Sequence, residues 1–432
     1  MRVVLKFALL LSLWCTVRCC DDVLEDHLAT KSPYRFVGNR NHSRLSFAGC
    51  EPSKAWMLIR HGTRYPSDDY VSAMQSRLPV MREIILSKEN GIFRSDRDSL
   101  RKWKLDFGEE DAKKLTAEGA NEMVEIAERM QSRLPEIFSH IYSNTSYNFK
   151  FTSTQRTKAS AYYFAKGLFG KPTAKDVHFP EPLKQDPILR FYKLCNKWRK
   201  EVKHNPKAVK EATTFKAGPM VKKELTRIAK KLGVHEKNLS FDDAHYMYMT
   251  CAFETAWSRK KKSPWCAPFD VNSAKVFEYA EDLKYYWVDG YGHDITYKQA
   301  CPAFGDMLGH LGDTTSPYPK ATLYFTHSGT LLKMLSHLGL YRDERPLRHD
   351  NYDEHRLWRS SRIDAFATNI AFVSYKCGNE ISLLALHQEH VVRLPSCPDS
   401  DLCPLSKVRS YYEESLNSCS FDDMCNNTNS NN

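Results

Sequence analysis

The stretch Leu58-Ile59-Arg60-His61-Gly62-Thr63-Arg64-Tyr65-Pro66-Ser67 ends an apolar run in the pattern Arg-His-Gly-x-Arg-x-Pro. The residues leading into it, Ala55-Trp56-Met57-Leu58-Ile59, have the length and character of a buried parallel strand, which Gly62 and Pro66 turn into a loop. Open α/β sheets bind ligands just beyond the C-terminal ends of their strands, so Arg60, His61 and Arg64 fall at such an edge. Guanidiniums offer planar forks of donors that stay charged and match a phosphoryl group. A neutral imidazole between them has the chemistry to attack phosphorus while the cations stabilise the equatorial oxygens. A lone Arg-His pair at a strand end is ordinarily a solvated surface feature. The seven-residue pattern makes it a candidate phosphate trap around a nucleophile, one that calls for no metal and no cofactor.

The same grammar recurs twice. Asn148 to Thr154 alternates like a strand and runs into Arg156 and a helical pattern over Lys158 to Leu168. Thr322 to Thr326 is a third apolar run, followed by His327-Ser328-Gly329 and a helix over Thr330 to Leu338. Three strands that end in Arg or His converge if they are neighbours in one parallel sheet. Taken singly, Arg156 reads as a surface arginine at a helix start and His327 as a capping histidine. Thr116 to Leu134 is predicted as an amphipathic helix that packs on the sheet. Phe366 to Tyr375 and Glu380 to His387 read as a hairpin at a sheet edge, joined by Cys377-Gly378-Asn379. His387-Gln388-Glu389-His390 lacks a third metal ligand nearby, and on a continuous strand its histidines point to opposite faces; Glu389 is left as a candidate for the pocket rim.

The chain has 432 residues, 42% of them hydrophobic, enough for one large core or two coupled domains. Residues 1–20 read as a secretory signal: Arg2 and Lys6 precede an apolar segment, Phe7 to Trp14, that is shorter than the ~20 residues a membrane span needs. No later segment reads as a span. Secretion, with the lumen of the secretory pathway as the alternative, makes the thirteen cysteines legible as disulfides. Cleavage near Cys19 leaves an odd number, so either the cut follows Cys20 or one thiol stays free. Cys397, Cys403, Cys419 and Cys425 are expected to staple the C-terminal tail, with a connectivity that spacing does not reveal. Sequons at Asn41, Asn144, Asn238 and Asn426 fit an exported glycoprotein.

Charge is unevenly spread. Between Lys184 and Lys262 there are 20 Lys and Arg against 8 Asp and Glu, a net of +12, whereas the whole chain carries +11. Any single lysine there reads as part of a solvated face. The sum reads as a basic helical cap that steers a polyanionic small molecule toward the arginines, with Lys222, Lys223, Lys230 and Lys231 as candidate contacts. Neither a nucleic-acid partner nor an oligomeric state is assigned. The layout expected is an α/β core over 21–160 and 275–432, with a mostly parallel sheet flanked by helices, and an inserted cap over 161–274.

The run Arg60 to Ser67 resembles the signature of the histidine acid phosphatases, and more narrowly that of the multiple inositol polyphosphate phosphatases. Ser263-Pro264-Trp265-Cys266, Asp282 to Trp287 and Gly290-Tyr291-Gly292 are similar to the same branch, and the resemblance spans Cys50 to Glu389. It implies hydrolysis of phosphomonoesters on inositol polyphosphates such as phytate, with bisphosphoglycerate as a second substrate, through a phosphohistidine. His61 would be the nucleophile, and Arg60, Arg64, Arg156 and His327 would hold the phosphate, His327 also being counted with the catalytic residues. The branch usually carries His-Ala-Glu where this chain has His327-Ser328-Gly329, so the usual proton donor is absent. The alternative expectation is therefore a secreted polyanion-binding protein with little turnover, unless another Asp or Glu, with Glu389 the first candidate, replaces the acid.

Overall fold

Among the described residues, seven strands form one mixed sheet whose parallel part is the seat of the site. The structure is a computed structural model and describes residues 22–88, 91–92 and 94–426. The strands are β1 (Cys50–Arg60), β2 (Tyr147–Phe151), β3 (Ala321–Thr326), β4 (Asn369–Cys377), β5 (Glu380–His387), β6 (His390–Val392) and β7 (Leu402–Pro404). Their order is β2-β3-β1-β4-β5-β6, with β7 also on β5. β2, β3 and β1 run parallel, and the pairs from β1–β4 outward are antiparallel.

β1 is an unbroken apolar run because both sheet faces are covered. Met57 and Ile59 pack on one side with Phe149, Phe151, Leu323 and Phe325, beneath helices Ala117–Arg133 and Gln155–Thr173. Trp56 and Leu58 pack on the other, against helices Cys301–Gly312 and Ser328–His337. Each of these fully buried side chains contributes roughly 1.5–3 kcal/mol of transfer free energy. Helix Ala117–Arg133 starts where its Thr116 side chain accepts from the Gly119 N–H, close to the boundaries its periodicity predicts.

Two expectations need correcting. The β4–β5 hairpin exists, with Cys377 opposite Glu380, but it is not at an edge: β4 lies against β1, and β5 carries β6 and β7. A continuous strand through His387 to His390 does not form either. Gln388 and Glu389 make a two-residue turn with φ of 50° and 67°, which sets the two histidines opposite each other in register.

From Ala174 to Lys320 the chain contains no strand and is built of helices and turns, among them Pro219–Leu232, Phe241–Trp257 and Val271–Asp289. Among the described residues, five disulfides join ten cysteines. Cys50–Cys377 ties the start of β1 to the end of β4, and Cys251–Cys266 closes a short loop. The four tail cysteines do not pair among themselves as a set. Cys397–Cys403 is local, whereas Cys419 reaches Cys301 and Cys425 reaches Cys195, so the tail is stapled to the body. The predicted signal, with Cys15, Cys19 and Cys20, lies outside the described residues. No helix among the described residues is long and apolar enough to cross a membrane. The four sequon asparagines are exposed.

Candidate active site

The three strand ends converge as their shared grammar predicts. Arg60 pairs in register with Thr326, and both Ile59 and Phe151 sit level with Phe325, so the segments after β1, β2 and β3 leave the sheet at one height. Arg60, His61, Arg64, Arg156 and His327 all line one cleft of about 480 Å³. Helices Gln155–Thr173 and Ser328–His337 begin there, and their free N–H groups add to a field that favours anions.

Close backbone approach positions the loop after β1. A Cβ on Gly62 would lie 2.4 Å from the Gly119 carbonyl oxygen, so glycine is required for the loop to pack on helix Ala117–Arg133. Thr63 donates from its N–H and hydroxyl to Glu122 at 2.7 and 2.8 Å. Its carbonyl accepts from the Thr116 N–H and hydroxyl. Arg60, 2% exposed, donates to the Thr30 carbonyl at 3.0 Å and to the Asp364 carbonyl, faces the Asp364 carboxylate at 3.5 Å, and stacks over Phe366 at 4.8 Å.

Hydrogen-bond partners identify both imidazole tautomers. His61 Nδ1 lies 2.9 Å from the Gly62 carbonyl oxygen, which only accepts, so Nδ1 carries the proton and Nε2 is a free nucleophile. For His327 the assignment reverses. The Arg156 guanidinium, a pure donor, reaches Nδ1 at 3.3 Å, so the proton is on Nε2, which donates to Thr152 Oγ1 at 2.9 Å. The two rings meet edge to face, 5.6 Å apart.

Burial, and then the charges of Arg156, Arg60, Arg64 and His327, push the His61 imidazolium well below the usual histidine range. His61 is therefore neutral and nucleophilic across ordinary pH. His327 is depressed by burial and by Arg156, Arg190, Arg64 and Arg60. Burial foremost, then neighbouring guanidiniums (Arg156 and Arg60 for Arg64, Arg190 and Arg60 for Arg156), lowers Arg64 to about 9 and Arg156 to about 10, leaving both charged at neutral pH.

The cleft holds residues that sequence reasoning did not single out. Lys31 enters from the N-terminal turns, and Tyr285 and Asp289 from helix Val271–Asp289. Arg190, Lys193, Arg199, Lys203 and His204 come from short turns between Asp186 and Asn205, including a π turn over Arg199–Lys203. Eight lysine and arginine side chains thus face the cleft, with one carboxylate, Asp289, among its described lining. The density of charge over 184–262, which includes the run Lys197-Trp198-Arg199-Lys200, signalled this wall without showing which of its side chains face inward. Lys222, Lys223 and Lys230 are exposed on helix Pro219–Leu232, Lys231 reaches the Phe269 carbonyl, and none of the four lines the cleft.

Glu389 is also not at the rim. It is 1% exposed and accepts from Arg129 at 2.9 and 2.7 Å and from the Tyr34 hydroxyl at 2.9 Å, a buried anchor for the turn before β6. His387 is spent likewise, accepting from the Tyr341 hydroxyl at 2.7 Å and donating to the Ile363 carbonyl at 3.1 Å.

Comparison with known proteins agrees with this geometry. Residues 53–395 match the model of the histidine phosphatase superfamily (branch 2). The chain is 33% identical over 402 residues to multiple inositol polyphosphate phosphatase 1 of Drosophila melanogaster, covering 89% of this chain and 84% of that protein. With the Homo sapiens protein of the same name it is 31% identical over 403 residues, covering 87% and 82%. Among solved structures, the phytase from D. castellii superposes with a TM-score of 0.77 at 18% identity, over 93% of this chain and 88% of that one. The Bifidobacterium longum multiple inositol polyphosphate phosphatase in complex with inositol hexasulfate gives 0.69 at 16% identity, over 89% and 97%. On the strength of the matched model, the two relatives above 30% identity and the shared fold, this chain belongs to the histidine phosphatase superfamily (branch 2), within its multiple inositol polyphosphate phosphatases.

Proposed function

We propose that the protein hydrolyses phosphomonoesters of inositol polyphosphates through a phosphohistidine on His61. The observation that carries this reading is a neutral imidazole with its Nε2 free, set among Arg60, Arg64 and Arg156 in a cleft lined by eight cations. A phosphate seated on the three guanidiniums presents phosphorus to Nε2, and the arginines stabilise the charge on its equatorial oxygens as the P–O bond breaks. An incoming dianion raises the proton affinity of His327, whose Nδ1 then exchanges Arg156 for a phosphate oxygen. Water releases phosphate from His61 in the second half.

The wall over 190–204, part of the segment 161–274 that we treat as the cap, holds the phosphates that are not being cleaved. Five disulfides and exposed sequons support an exported glycoprotein, secreted or held in the lumen of the secretory pathway. Steady-state release of phosphate from inositol hexakisphosphate and from an inositol monophosphate tests the reading. The expected result is a kcat/KM at least about tenfold higher for the hexakisphosphate, as charge steering predicts. Binding of the hexakisphosphate without turnover would contradict it and return the protein to a polyanion binder.

A further inference from the structure

Breaking a phosphate ester of inositol expels an alkoxide, a poor leaving group, and a positioned proton donor contributes about 10² to 10⁴ to such a step. The floor of the cleft offers no carboxyl group for this: its cations are guanidiniums and the Lys31 ammonium, and Ser328 and Gly329, which follow His327, carry none. Two carboxylates lie near these residues. Asp364 is fully buried, faces Arg60 and accepts from the Ser328 hydroxyl, so a substrate cannot touch it. Asp289 lines the cleft, at the end of helix Val271–Asp289.

The placement of Asp289 is specific. A Cβ built on Gly329 would lie 3.1 Å from Asp289 Oδ1, so the carboxylate fills the space that a side chain at 329 would enter. Gly329 does not have a positive φ, so its lack of a side chain is not demanded by its backbone. The Asp289 carboxylate is fixed by the buried ammonium of Lys333, which packs over Trp198 at 4.3 Å and Tyr192 at 5.0 Å.

We infer that Asp289 is the proton donor of the reaction, delivering to the cleft, from a helix 40 residues earlier in the chain, the carboxyl group that position 329 lacks. The inference rests on the phosphohistidine reading above and adds its missing acid. As His61 Nε2 bonds to phosphorus, the P–O bond to the inositol breaks, its electron pair stays on oxygen, and the Asp289 proton passes to that oxygen. In the second half the carboxylate takes a proton from the attacking water, whose oxygen bonds to phosphorus as the N–P bond breaks. The donor is thereby restored. Burial lowers the proton affinity of Lys333, so its ammonium holds the carboxylate without binding its own proton as firmly as a solvated lysine does.

The test is leaving-group dependence. Nitrophenyl phosphate expels a stabilised phenolate that barely needs a proton. In Asp289→Asn, kcat for inositol hexakisphosphate is expected to fall about 10² to 10⁴-fold while kcat for nitrophenyl phosphate falls less than about tenfold. In Asp289→Gly/Gly329→Glu, with the acid moved across the shared space, the inositol rate is expected to recover at least about tenfold over Asp289→Gly. Equal losses on both substrates, or no loss on the inositol ester, overturn the inference, as does a folded double variant without recovery. Since Asp289→Asn orphans the Lys333 charge, Asp289→Asn/Lys333→Met keeps the comparison readable if the single variant loses its fold. Wild-type turnover of nitrophenyl phosphate reports separately on the parent reading: if it is absent, the phosphohistidine reading itself fails and the inference falls with it.

Discussion

The floor of the cleft and its wall both present cations, and they hold them in opposite ways. The floor hangs from three parallel strand ends. Arg60 is gripped by two backbone carbonyls, and Arg60 and His61 are almost fully buried. The wall is a run of short turns whose Lys193, Arg199 and Lys203 side chains stand exposed. It is pinned from behind by the Cys195–Cys425 disulfide, by Trp198, whose indole N–H reaches Thr296 at 3.2 Å, and by Lys333 beneath that indole. Buried charges act at full strength on one phosphate and depress the basicity of the histidine between them, whereas solvated charges act at a distance and are screened by salt. On the proposed reading, chemistry belongs to the first region and preference for polyphosphates to the second.

The largest effect should come from the floor. His61→Ala is expected to lower kcat by on the order of 10⁴-fold or more on every phosphomonoester, as removal of a nucleophile does, while calorimetry shows inositol hexasulfate still bound. Next comes the wall. Arg190→Glu/Lys203→Glu should raise KM for inositol hexakisphosphate about tenfold or more and KM for a monophosphate by about twofold, with 1 M salt removing most of the difference. Lys222→Glu/Lys223→Glu, on the exposed helix, should change neither. Equal shifts for both substrates would erase the division of labour.

A smaller effect tests Lys31, which belongs to the floor although it arrives from the chain's beginning. Burial, only partly offset by Glu281 and reinforced by Arg60 and Arg64, lowers it to about 7. Its positive charge is present below that pH and lost above it, so kcat/KM for the polyphosphate, which reports the free enzyme, should fall as pH rises through 7. Lys31→Arg should move that limb upward by more than one pH unit, with a change of about threefold to tenfold at pH 8. The smallest effect is on the anchor of the wall. Cys195→Ala/Cys425→Ala should raise KM for the hexakisphosphate about threefold and leave nitrophenyl phosphate turnover within about twofold, alongside a lower Tm.

The two regions also differ in how far the sequence discloses them. The floor was legible because each member follows an apolar run that ends in Arg or His, and buried parallel strands write themselves as such runs. Helix Ala117–Arg133 was legible from its apolar stripe. The wall was not, since Phe191–Leu194, Asn196–Trp198 and the π turn are too short for any periodicity to show which face looks inward. Charge density over 184–262 marked the segment, and the long periodic helix Pro219–Leu232 drew attention to the wrong lysines. Asp289 reads in sequence as an ordinary acid at a helix end, and only the fold brings it against Gly329. Glu389 shows the converse, a suggestive acid between two histidines that Arg129 and Tyr34 bury as structure.

In the proposed reaction His61 takes the phosphoryl group onto Nε2. Rapid acid quenching of the wild-type protein during turnover of phosphate-labelled inositol hexakisphosphate, followed by proteolysis and mass spectrometry, tests it most directly. An acid-labile, alkali-stable label is expected on the peptide that contains His61, at a substantial fraction of one per protein, and none in His61→Ala. Turnover with no label on the wild type, or equal turnover by His61→Ala, would contradict it.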